Sequence, residues 1–96
     1  MTSNSLKSEA TYIEKKLHDK GFTHLYSLTR GYHIAIYSKD DEDKVNRARL
    51  TNIKEKQYQL SMADHRGKWE VTPFTGSIDE LIEMLITNFS FALIDY

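Results

Sequence analysis

Four histidines, His18, His24, His33 and His65, are the residues of this 96-residue chain best suited to acid–base or metal chemistry. A neutral imidazole is a ready metal ligand and a proton shuttle near pH 7. No two of them show the His-x-x-x-His spacing that puts two ligands on one helical face. There is no cysteine, which removes thiolate nucleophiles, Cys–His pairs, disulfides and cysteine-based zinc sites together. The run Asp40-Asp41-Glu42-Asp43 supplies four carboxylates. They would alternate direction in an extended chain, and the glycine and distal glutamate of a calcium loop are missing. This run reads as a solvated loop or the frayed start of a short helix.

Phosphate-cradling loops fail as well, since neither Gly-x-Gly nor Gly-Lys-Ser/Thr occurs, and no Gly-x-Ser-x-Gly elbow is present. Glu14 with His18, and Asp79 with Glu83, are helix-surface neighbours four apart and do no acid–base work without a pocket. A site assembled from distant strands, such as His33 beside a carboxylate, is outweighed by a plain surface role for that histidine. The sequence therefore reads as a non-enzyme with no cofactor and no metal.

Charge is distributed more tellingly than its total. The net charge is −1, yet residues 44–68 hold seven Lys/Arg against two acids, and residues 69–96 hold five acids and no Lys or Arg. That segregation concerns surface potential and needs a fold to give it a place. An apolar fraction of 40% beside 28% charged residues describes one soluble globular domain over 1–96, with residues 1–4 expected to be disordered. The lack of cysteine favours a reducing compartment. No apolar run approaches the ~18 residues of a membrane span, so a cytoplasmic location is expected.

The elements that would position these residues follow from periodicity. Leu6, Ala10, Ile13 and Leu17 form one stripe, predicting a helix over about Ser5–Lys20, closed by Gly21 with Phe22 folding back on Leu17. Two strands, roughly His24–Thr29 and Tyr32–Ser38, join through Arg30-Gly31. Period-two alternation from Val45 to Thr72 predicts a three-strand meander. Its buried face takes Ala48, Leu50, Tyr58, Leu60, Met62, Trp69 and Val71. A helix over Asp41–Leu50 competes with the first of these strands. Ile78, Leu81, Ile82, Leu85, Ile86 and Phe89 then mark a second helix, with Ser77 and Glu80 as a capping box. Phe91–Tyr96, apolar on both faces, reads as a last strand. The class is α+β: an antiparallel sheet of about five to six strands with an N-terminal and a near-C-terminal helix on one face.

Two functions fit this object. One is a small protein-interaction module (adaptor, inhibitor or immunity-type protein, including a homodimer). Its contact points would be Phe74 in the Pro73-Phe74-Thr75 connection and Phe91 and Leu93 on the last strand. Phe74 either packs against the start of the second helix or stands exposed at a loop tip. The alternative is nucleic-acid binding by the polar face of the sheet. His33, Tyr37, Arg47, Arg49, Gln57, Gln59 and Lys68 would gather there, with Lys54, Lys56 and Arg66 at its turns. A single aromatic on that face and an isoelectric point near 6.4 set the nucleic-acid reading second.

Overall fold

The computed structural model describes residues 5–40, 43–64, 66–90 and 93. Helix α1 (Ser5–Asp19) precedes strands β1 (Leu25–Arg30), β2 (His33–Asp40), β3 (Asp43–Lys54), β4 (Gln57–Ala63) and β5 (Trp69–Gly76), and helix α2 (Ile78–Asn88) follows. The strands form one antiparallel sheet in the order β1-β2-β3-β4-β5. Hairpins alone build it, so every strand lies beside its neighbour in sequence.

Helix α1 buries the expected stripe, with Leu6, Ala10, Ile13 and Leu17 all in the core. It ends as a Schellman motif: Phe22 N–H donates to the Leu17 carbonyl (2.9 Å) and Gly21 N–H to that of His18 (3.0 Å), with Gly21 at φ 99° where a Cβ would be strained. The helix is tied to β1 by Ser27, whose N–H donates to Glu14 Oε1 (2.8 Å) and whose hydroxyl donates to the Ala10 carbonyl (2.7 Å). Helix α2 carries the capping box: Glu80 N–H donates to Ser77 Oγ (3.2 Å) and Ser77 N–H to Glu80 Oε1 (2.8 Å). Leu81, Ile82 and Leu85 are its buried residues.

Both helices lie on one face of the sheet, α1 over β1 and β2 and α2 over β4 and β5. Between them and the sheet, Leu25, Ile34, Ile36, Ala48, Leu50 and Leu60 are fully buried. Where the helices meet, Asp79 accepts from the Tyr12 hydroxyl and from Lys16 Nζ (3.2 Å). Among the described residues no helix is long and apolar enough to cross a membrane.

The strand expected from Val45 onward forms over residues 43–54 and the competing helix does not, because Ala48 and Leu50 pair with Ile36 and Ile34 and complete the core from β3. Three expectations change. Asp40 and Asp43 pair in register at the ends of β2 and β3, so these two acids close a hairpin rather than fill a loop. Trp69 and Val71 face away from the helices. They pair with Ala63 and Ser61, which alternate with the inward Leu60 and Met62, and antiparallel partners share a face. The expected last strand falls mostly on residues outside the described ones. Leu93 itself is in a turn, its N–H donating to the Ser90 carbonyl at 2.9 Å, and it is 0% exposed. It belongs to the core and offers no edge to a partner. The sheet has five strands.

Candidate functional site on the open face of the sheet

The helices cover one face of the sheet and leave the other open among the described residues. A two-residue turn at Gly31-Tyr32 sets the β1–β2 register. It brings Tyr26 opposite Tyr37, with ring centroids 5.7 Å apart. Lys39 and Lys44 are also opposite one another. Each ammonium lies over a ring, Lys39 Nζ at 5.6 Å from Tyr26 and Lys44 Nζ at 5.5 Å from Tyr37. Two like charges in direct cross-strand register repel, and the electron-rich ring faces beneath them offset part of that cost.

Arg49 occupies the middle of the face. Its neighbours in register are Ala35 on β2 and Ser61 on β4, both small. The long side chain therefore lies across β4 and reaches β5, with its guanidinium 4.9 Å from the Trp69 ring centroid. Ser61 is only 1% exposed on this otherwise open face, in keeping with coverage by these larger neighbours. The Arg49 Nε is buried and has no hydrogen-bond partner among the described residues. Beside it, His33 shares a hydrogen bond between Nδ1 and Thr51 Oγ1 (2.9 Å). Burial, and then the charge of Arg49, hold the His33 pKa below its ordinary value, so this imidazole is neutral at pH 7.

Arg30, Lys39, Lys44 and Arg49 take outward positions by register. The ion pairs Lys16–Asp79 and Lys20–Glu83 lie on the helix side. The described acids of the strands fall on positions of the opposite parity: Glu70 is paired with Met62, and Asp43 directly precedes Lys44. Among the described residues the open face is thus positive and carries the rings of Tyr26, Tyr37 and Trp69.

The residues expected on this face separate into groups. His33, Tyr37, Arg49, Gln57 and Gln59 do share it, and the Gln59 amide is tied by Nε2 to the Thr72 carbonyl at 3.2 Å. Arg47 does not. A register shift between Ile36 and Tyr37 leaves Arg47 as an extra residue on β3. This bulge turns its side chain inward, where it is 8% exposed and its Nε donates to Ser38 Oγ at 3.0 Å. Strict alternation assumes an unbroken ladder, and a bulge shifts the parity. Lys68 is exposed in the β4–β5 turn, its N–H held with that of Arg66 by the Asp64 carboxylate (2.9 and 2.8 Å). Lys54 ends β3 and Lys56 lies in the β3–β4 turn, at the opposite end. Phe74 is half-buried on the helix side, 5.8 Å from the Phe89 ring at the end of α2, and is not an exposed anchor. Phe91 lies outside the described residues.

Sequence reasoning missed Tyr26, Lys39, Lys44 and Trp69. Tyr26 and Lys39 were legible, because counting outward from a two-residue turn at Gly31-Tyr32 pairs Tyr26 with Tyr37 and continues to Lys39, whereas the place of Lys44 depends on how β3 aligns with β2. Trp69 was obscured by its own hydrophobicity, which argues for the core.

Elsewhere, His18 and His24 each use Nε2 on a carbonyl, that of Leu25 (2.7 Å) and of Leu93 (2.6 Å) respectively. Both fasten connections to the core. Among the described residues no three His, Asp or Glu gather as a metal site. A cleft of about 410 Å³ lies between α1, the β3–β4 turn and α2, lined by Tyr12, Lys56, Tyr58 and Asp79 among others. Its Asp79 carboxylate is already engaged by Tyr12 and Lys16. The chain matches no known family model, no curated protein and no solved structure.

Proposed function

We propose that this chain is a small, non-enzymatic interaction module of the cytoplasm, and that the open face of the sheet is the surface it works with. The supporting observation is the set Arg49–Trp69, Lys39–Tyr26 and Lys44–Tyr37, three cations that rest on rings and have no carboxylate among the described residues. Trp, Tyr and Arg are the residue types that dominate binding energy at interfaces. A partner with negative charge would complete the electrostatics.

The reading is tested by replacing Ala35, at the centre of the face, with a photocrosslinking amino acid and irradiating cells. Covalent capture from position 35 is expected, and it should be lost in a Lys39→Glu/Lys44→Glu background that leaves the melting temperature unchanged. A control photocrosslinker at Lys15, exposed on α1, should capture little. Equal capture from positions 15 and 35, insensitive to the charge reversals, would falsify the proposal.

A further inference from the structure

Resting on that reading of the open face, we infer that its occupant is a single-stranded nucleic acid. Three features favour such a strand over an acidic protein surface. The first is position. A cation, Arg49, sits at the centre of the face between the small residues Ala35 and Ser61, where its guanidinium can meet a phosphate or a base of a strand laid across the sheet. The second is composition. Each ring is accompanied by a cation at 4.9–5.6 Å. A strand offers phosphates to the cations and flat bases to the rings or to the guanidinium plane. A carboxylate pairs with the cations alone, whereas a nucleotide supplies both the anion and the flat ring. The third is extent. Tyr26 on β1 and Trp69 on β5 stand at opposite edges of the five-strand sheet, about 19 Å apart at ~4.8 Å per strand, and Arg49 lies between them. An extended strand can cross all three points.

A duplex is excluded by the same chemistry. The rings lie on a sheet surface and need free base faces, which a duplex keeps stacked inside. Duplex binding would use only the cations.

Trp69 is the chain's only tryptophan, so its fluorescence reports directly on this surface. The probes are a mixed-sequence 12-nucleotide RNA, the same sequence as DNA, a DNA duplex and heparin, titrated at 50 mM salt. Both single strands should bind, quenching Trp69 emission and shifting the anisotropy of a labelled probe. If Arg30, Lys39, Lys44 and Arg49 all meet phosphates, affinity should fall about fifty-fold between 50 and 200 mM salt. Trp69→Ala should weaken binding about ten-fold or more, read by anisotropy. Lys39→Glu/Lys44→Glu, at exposed positions, should do likewise without altering the circular dichroism.

The proposal is overturned by no binding at 50 mM salt, or by duplex and heparin binding as tightly as single strands without quenching. Failure here together with retained capture of a protein from position 35 would leave the interaction surface standing and remove only the nucleic acid. Loss of both would remove the surface itself.

Discussion

Two arginines two residues apart do opposite work in this protein. Arg47 is inside, bonded to Ser38 and 8% exposed; Arg49 lies outside on the Trp69 ring. Truncating Arg47 removes the packing of its long stem and leaves the Ser38 hydroxyl without that donor. Arg47→Ala is therefore expected to cost about 2 kcal/mol, which lowers the melting temperature of a domain this size by roughly 8–16 °C. Arg49→Ala should shift it by no more than a few degrees, and comparable losses for the two would contradict the assignment of faces. His33 adds a pH signature. Its folded pKa lies below the ordinary 6.5 because it is partly desolvated and then because Arg49 is near. The unfolded chain therefore takes up this proton first as pH falls. Stability should decline from about pH 7 downward and level off once the folded imidazole is also protonated. Urea midpoints measured from pH 7.5 to 5.5 should show that decline in the parent relative to His33→Gln, and parallel profiles would refute it.

Among the elements, the join between β5 and α2 is the most constrained. Gly76 has φ 156° and is buried, and a Cβ there would lie 2.6 Å from Glu80 Oε1, the oxygen that accepts from Ser77 N–H. Gly76→Ala must displace that carboxylate and break half of the capping box in addition to straining the backbone. A loss of about 1–2 kcal/mol is expected from the cap and the conformation together, measurable by urea unfolding; an unchanged midpoint would show that the cap is dispensable. The two helices were legible in the sequence because each has one apolar stripe and clear end signals. The strands were legible as strands, but not all of their faces were. The bulge between β2 and β3 moved Arg47 inward, and the β4–β5 register put Trp69 outward. Periodicity fixes which residues alternate. Which of the two sets faces the core depends on how neighbouring strands align.

At the scale of the whole molecule, the charge runs seen in the sequence acquire direction. Among the described residues the sheet's open face is positive, while Asp79, Glu80 and Glu83 lie on α2, across the sheet. A molecule with net charge −1 should therefore still be held by a cation exchanger or heparin resin at low salt and pH 7. Lys39→Glu/Lys44→Glu should release it, and passage of the parent protein straight through the resin would argue against segregation by face.

Local rules within the sequence determined the helices, the Schellman ending, the capping box, the α+β class and the absence of any cysteine chemistry, because each depends on residues within a few positions of one another. The outward Trp69, the inward Arg47 and the alignment of three rings with three cations were decided only by the tertiary structure. They depend on the register between strands, and register is set by turns and bulges acting between segments rather than by the pattern within any one of them.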